Sequence, residues 1–249
     1  MNRLLPQSFS DTRKTPPARI AVIIPAWNEE GSIGRVIDDL PRDLLHEVIV
    51  ADNNSTDYTA DVARKFGATV THAPQRGYGS ACLAGIDYLR ALSPPQQPDI
   101  VVFLDADYSD YPDELPLVVE PILSGRADFV IGSRTRKPQP PGALLPQARF
   151  GNLLACFLMR ALWGIRYTDL GPFRAIRWKS LLSLGMSDTN FGWTVEMQIK
   201  AARAGLRIEE VSVSYRPRLG HSKITGTLKG TILAGSKILW TIFRHGLRS

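Results

Sequence analysis

Three short polar segments each follow an apolar run and carry residues able to do chemistry. They are Trp27-Asn28-Glu29-Glu30 after residues 20–24, Asp52-Asn53-Asn54-Ser55-Thr56-Asp57 after 48–51, and Asp105-Ala106-Asp107 after 100–104. Two carboxylates one residue apart at a strand end can both approach a hard divalent cation, Mg²⁺ or Mn²⁺, which takes oxygen ligands and keeps places for water and a substrate phosphate. A lone Asp-x-Asp is common in surface turns. Its position after Val101-Val102-Phe103-Leu104 makes Asp105 and Asp107 candidate metal ligands. A cation there would neutralise charge growing on a departing pyrophosphate. Glu29 and Asp52 are placed to hydrogen-bond a nucleobase or ribose, and Trp27 to offer a flat apolar wall. The alternatives are capping of the next helix by Ser55 or Asp57 and a core position for Trp27. Arg76-Gly77-Tyr78-Gly79 brings backbone N–H groups into play for a phosphate. It fails the dinucleotide fingerprint, because Cys82 stands where the third glycine belongs.

The elements that must position these residues alternate in the first half of the chain. Short, β-branched apolar runs at 20–24, 48–51, 68–71, 100–104 and 128–131 read as buried strands. Helical stretches at 32–40, 59–66, 80–92 and 113–123 lie between them, which is the pattern of a parallel sheet with crossover helices. In open α/β sheets ligands bind beyond the carboxyl ends of the strands, so the three polar segments should meet at one edge. After Arg134 a Pro/Gly-rich loop at 137–146 leads to an apolar helix at 149–163. A helix at 192–204, a strand within 207–215 and a helical tail follow.

Composition narrows the function classes. The chain of 249 residues is 44% hydrophobic, enough for a full core, and its two cysteines form no disulfide framework or metal-ligand spacing. The segment 1–17 lacks the apolar stretch of a secretory signal and is expected to be a flexible lead-in, with the cytosol as compartment. Charge is segregated: residues 1–133 carry 11 Lys and Arg against 19 Asp and Glu, a net of −8, and residues 134–249 carry 19 against 5, a net of +14. The first half suits a metal and the second suits phosphates. No zinc-finger spacing, RNP-like aromatic motif or basic heptad region points to nucleic acid.

The ordered set of segments resembles the inverting family 2 glycosyltransferases, and within them the branch of dolichol-phosphate mannosyltransferase and related polyprenyl-phosphate glycosyltransferases. The segments are Ile23-Ile24-Pro25-Ala26-Trp27-Asn28-Glu29-Glu30, Val50-Ala51-Asp52-Asn53-Asn54-Ser55-Thr56-Asp57, Arg76-Gly77-Tyr78-Gly79, Asp105-Ala106-Asp107, Gly132-Ser133-Arg134, Asp169-Leu170-Gly171-Pro172-Phe173-Arg174 and Gly220-His221-Ser222-Lys223. The resemblance implies a Rossmann-like GT-A glycosyltransferase fold, α/β with a mostly parallel central sheet flanked by helices, spanning 18–225. It implies that Pro25, Trp27, Glu29 and Asp52 line the nucleoside pocket, with Gly77 near a phosphate and Asp105 and Asp107 facing metal and diphosphate. Arg134 would reach a phosphate, and Arg149, Arg218, Ser222 and Lys223 would approach donor diphosphate or acceptor phosphate. Where the branch often has Gln two residues past the second Asp, this chain has Ser109, which leaves the third metal ligand open.

The expected reaction is inverting transfer of a sugar from a UDP- or GDP-sugar to a polyprenyl-phosphate-type acceptor. The alternatives are a soluble hydroxyl acceptor and a non-catalytic nucleotide-binding module. A phosphate acceptor needs no strong base, whereas a hydroxyl does, and Asp169 is the candidate base, with a structural turn role as its alternative. The family's processive signature Gln-x-x-Arg-Trp is missing. Relatives continue into membrane-spanning helices, but no run here reaches the about 20 apolar residues a span requires. Residues 226–249 are expected to form an amphipathic helix, with 227–243 lying on the cytoplasmic face of a membrane or packing on the catalytic domain. Assembly into a homo-oligomer stays open.

Overall fold

The computed structural model describes residues 17–220 and 228–246. Seven strands, β1 (Ile20–Ala26), β2 (Leu45–Asp52), β3 (Thr69–His72), β4 (Ile100–Phe103), β5 (Phe129–Ser133), β6 (Arg174–Arg177) and β7 (Ile208–Ser212), form one sheet in the order β3-β2-β1-β4-β6-β5-β7. Every pairing is parallel except those of β6, which runs antiparallel to β4 and β5. The mostly parallel α/β architecture expected from the alternation is therefore present. Alternate residues of each strand feed opposite faces, as a period of two requires. Along β1, Val22 and Ile24 join the core under α1 (Ile33–Asp38), α2 (Thr59–Lys65) and α4 (Leu115–Leu123), the last in chain order after α3 (Tyr78–Ala91). Ala21 and Ile23 join the core under α3 and the later helices α5 (Pro146–Trp163), α6 (Trp178–Leu184) and α7 (Trp193–Arg203). Each fully buried Ile, Val or Phe stabilises this sandwich by about 1.5–3 kcal/mol.

Register places the functional edge. Ala26 lies opposite Asp52, and Phe103 opposite Ile23, so the segments after β1, β2 and β4 leave the sheet together. Ser133 pairs with Ser212, so the residues after β5 and β7 emerge at that same edge. Because β6 is reversed, its start rather than its end lies there: Arg174 sits opposite Phe103 and Ile131.

Two elements went unread in the sequence, β6 and α6. The strand Arg174-Ala175-Ile176-Arg177 begins with a fully buried arginine. Arg174 donates to the carbonyls of Gly171 (3.1 Å), Leu170 (3.1 Å) and Thr194 (3.0 Å), which replace water around the guanidinium. The last helix, α8 (Leu228–Gly246), packs against α5 and α7, burying Thr241 and Ile242. Among the described residues no helix is long and apolar enough to cross a membrane.

Candidate active site

The site is built from loops that knit to one another before they meet any ligand. Asn28 accepts the Thr56 N–H on its Oδ1 (2.7 Å) and donates its own N–H to the Ser55 hydroxyl oxygen (2.9 Å). The Glu29 N–H reaches the Thr59 hydroxyl (2.7 Å), and the Tyr58 N–H reaches the Glu30 carboxylate (2.9 Å). Among the described residues the non-glycine positions with left-handed backbone are Asn28, Asn54 and Tyr108, one in each of these three loops. Asn tolerates that conformation, but a tyrosine in it stores strain, on the order of 1–3 kcal/mol, that neighbours must hold. Arg216 does so: its guanidinium lies 3.4 Å from the Tyr108 ring centre and 4.1 Å from that of Tyr111, and its Nε donates to the Tyr108 carbonyl at 2.7 Å.

The loops enclose a cavity of about 470 Å³ whose wall includes Pro25, Trp27, Glu29, Gly77, Asp105, Asp107 and Arg218. These seven residues, singled out in the sequence, come together. Asp52 does not join the wall. It is nearly buried, its carboxylate accepts the Ser55 N–H (3.3 and 3.4 Å), and His72 Nδ1 stands 3.9 Å away. Its neighbour Asn53 takes the wall position, and its amide ties the loop before α3 through Ala73 O (3.0 Å), Gln75 O (2.6 Å) and the Gly77 N–H (2.8 Å). Arg76 lies over Trp27, 3.7 Å from the ring centroid, closing one end of the cavity with a cation on an aromatic face.

Asp105 and Asp107 both line this cavity, near enough for the charge of one to act on the other. The Tyr78 hydroxyl donates to Asp105 Oδ1 (3.0 Å), and Ser109 donates both its N–H (2.9 Å) and its hydroxyl (2.5 Å) to Asp107 Oδ1. Ser109 thus orients the second carboxylate. Burial, and then the charge of Asp107, push the Asp105 carboxyl up to about 7. Asp110, fully buried beside them with no hydrogen-bond partner on either carboxylate oxygen, is raised by burial and by Asp105. Carboxyl groups crowded together in this way suit a hard cation, which would favour their ionised forms. Among the described residues no three acidic, His or Cys side chains converge at ligand distance. Asp105 and Asp107 are the pair able to hold such an ion, with its other places left to donor oxygens and water. Arg218 is the organic counter-charge, its guanidinium 2.7 Å from Glu29 and 3.3 Å from Asp107, while its Nε is buried without a partner.

Glycines bring in a segment that the sequence reading missed. A Cβ on Gly77 or Gly79 would run into the carbonyl oxygens of Thr189 and Asp188, so the 188–191 loop rests directly on the start of α3. Asn190 and Phe191 from that loop, and Leu233 from α8, complete the wall. Nothing in their types or spacing marks them, because their role comes from a long-range contact.

A second cavity, of about 530 Å³, is lined by Arg134, Arg136, Lys137, Gln139 and Arg149 with no acidic residue. Arg134 and Arg149 therefore belong here, apart from the wall that carries Arg218. Asp169 lies beneath, fully buried and clamped by Arg134. Burial raises its carboxyl, but the charge and hydrogen bonds of Arg134 outweigh that and hold it below the usual range. A carboxylate clamped in this way is a poor proton acceptor, which favours the structural alternative over a base at Asp169. Ser222 and Lys223 lie outside the described residues.

Comparison with known proteins agrees with this geometry. The family model described as "Glycosyl transferase family 2" matches residues 21–185. An uncharacterized glycosyltransferase of Mycobacterium tuberculosis is 39% identical over 217 residues, covering 86% of this chain and 94% of its own. A dolichyl-phosphate hexose transferase of Haloferax volcanii is 35% identical over 236 residues, covering 92% and 96%. Among solved structures, glucosyl-3-phosphoglycerate synthase from M. tuberculosis, in complex with Mn²⁺, UDP-glucose and phosphoglyceric acid, superposes with a TM-score of 0.73 at 27% identity, over 92% of this chain and 80% of that one.

Proposed function

The chain belongs to glycosyl transferase family 2 and is a glycosyltransferase, and from that premise we propose that it transfers a sugar from a UDP- or GDP-sugar to an acceptor bearing a phosphate, a polyprenyl-phosphate-type lipid. The observation that carries the acceptor reading is the second cavity. Its wall holds four cationic side chains and no carboxylate; behind the wall Arg134 pairs with Asp169 and Lys137 with Glu114, while Arg136 and Arg149 add further positive charge. A phosphate is ionised at neutral pH and attacks without a base, so such a cavity suits it and suits a neutral hydroxyl poorly. The name of the Haloferax relative supports the lipid form.

In this reading the cavity between Trp27 and Asp107 takes the nucleotide, with the nucleoside end at Trp27 and Arg76 and the diphosphate at the Asp105–Asp107 end. The acceptor oxygen bonds to the anomeric carbon from the face opposite the diphosphate. The bond to the β-phosphate oxygen breaks on the other side, inverting the centre. A divalent cation held by Asp105 and Asp107 would neutralise charge on the leaving diphosphate. Arg218 contributes a second, fixed charge there, held in place by Glu29. The Mn²⁺ in the superposing synthase supports the cation, with Mn²⁺ or Mg²⁺ as its identity.

A second reading has its own observation: that synthase is in complex with phosphoglyceric acid, a soluble phosphate-bearing molecule. Assays of a panel of UDP- and GDP-sugars with Mg²⁺ or Mn²⁺, against polyprenyl phosphate and phosphoglyceric acid in parallel, separate the two. The proposal expects transfer to the lipid phosphate. Transfer to the soluble acceptor alone would favour the second reading, and transfer to neither would remove both.

A further inference from the structure

Helix α5 meets the core through Ala155, Cys156 and Met159. Phe150, Leu153 and Phe157, three and then four residues apart, form a stripe turned away from that core and are 68%, 69% and 63% exposed. Single exposed apolar residues are ordinary on a protein surface, but three large ones in a row along one helix call for a partner. The charge around them says which. Between Asp128 and Asp169 the sequence has no acidic residue, while Arg134, Arg136, Lys137, Arg149, Arg160 and Arg166 are all cationic. Arg149 and Arg160 are exposed on α5 itself, one just before the stripe and one just past it. On α8, which packs against α5, Trp240 is half exposed, with Lys237 Nζ 4.6 Å and the Arg244 guanidinium 5.0 Å from its ring centre.

We propose that the outer face of α5, together with Trp240 of α8, docks on an anionic lipid bilayer. The two phenyl rings and Leu153 enter the apolar boundary, and the flanking arginines meet the head groups. A second copy of the chain is a poorer occupant, because a two-fold contact would set this carboxylate-free face against itself and bring like charges together. Arg149 also lines the basic cavity, so docking by α5 sets that cavity at the plane of lipid head groups. The proposal does not depend on the acceptor reading, and its test contains neither donor nor acceptor.

The test is co-sedimentation of the full chain at low salt with vesicles of phosphatidylcholine and phosphatidylglycerol, and with phosphatidylcholine alone. It is run on the wild type and on Leu153→Glu/Phe157→Glu and Leu153→Ser/Phe157→Ser. Thermal melts check that each variant is folded, and light scattering gives the oligomeric state. Wild type should bind the anionic vesicles and not the neutral ones. Both variants should melt like wild type and bind about ten-fold or more weakly, since two apolar anchors are gone. The Ser pair shows that the loss is not simple charge repulsion. Wild type that ignores anionic vesicles, or Ser variants that bind as well as wild type, would overturn the proposal. So would a wild-type dimer that the substitutions convert to monomer without any change in vesicle binding, which would make the face a contact between copies.

Discussion

Arg134 encloses the carboxylate of Asp169 with three hydrogen bonds of 2.8 Å, from its backbone N–H, its Nε and its Nη2. The pair joins the end of β5 to the segment that enters β6, and so fixes one wall of the basic cavity. Removing one partner of a buried, bidentate pair strands the other, which costs about 3–5 kcal/mol. Asp169→Asn should therefore lower the melting temperature and reduce turnover. The pH–rate profile of the residual activity should keep its shape. Loss of an acidic limb in the variant would instead identify Asp169 as a base.

Asp107→Asn keeps shape and removes one charge from the Asp105–Asp107 pair. Metal-dependent turnover should fall by about a hundred-fold or more, as when a principal electrostatic group is lost, while circular dichroism stays that of the wild type. Ser109 can still donate to the amide oxygen, so the loop should hold. Undiminished turnover in the variant, or in excess chelator, would remove the metal assignment.

Gly79→Ala places a methyl group against the Asp188 carbonyl, a backbone atom that cannot swing aside. Gly77→Ala adds strain from φ +142° to its own clash with Thr189. Each should destabilise the fold by about 3 kcal/mol, and nucleotide affinity measured by calorimetry should fall with it. Variants that melt and bind like wild type would mean that the 188–191 loop does not rest on α3.

At the opposite edge of the sheet, Asp128 accepts from Arg207 (2.9 and 2.7 Å) and Arg177 (3.1 Å), tying the starts of β5 and β7 to the end of β6. These bonds, the Arg207 hydrogen bond first, hold its carboxyl down at about 2. A depressed carboxyl contributes stability above its unfolded value of about 3.9, and that contribution is lost as pH falls toward 2. After discounting for exposed arginines, Asp128→Asn should cost on the order of 1 kcal/mol at pH 7 and nearly nothing near pH 2. A cost that is equal at both pH values would show that the pairing is not electrostatic.

How much of this was legible in the sequence follows from how far each signal reaches. The strands of the parallel core announce themselves as apolar runs, and the three loops after them follow from topology, so Trp27, Glu29, Asp105 and Asp107 were within reach. β6 was not, because Arg174 reads as surface until the carbonyls that surround it are known; burial pulls its guanidinium down to about 10. Asn190 and Phe191 were hidden for a related reason. Only the contact with Gly77 and Gly79, more than a hundred residues away, brings them to the cavity. Asp110 did leave a trace, the third carboxylate in Asp105-x-Asp107-x-x-Asp110, and only its burial shows that it belongs with the other two.

In the proposed reaction the sugar goes to a phosphate, with Asp105 and Asp107 holding a divalent cation. The most direct test uses radiolabelled donor sugar with polyprenyl phosphate, and with the same polyprenol lacking the phosphate, each with Mn²⁺ and with chelator. Label extracted into the organic phase is the readout. Label should appear there only when phosphate and cation are both present. Equal labelling of the free alcohol, or labelling unaffected by chelator, would contradict that reaction.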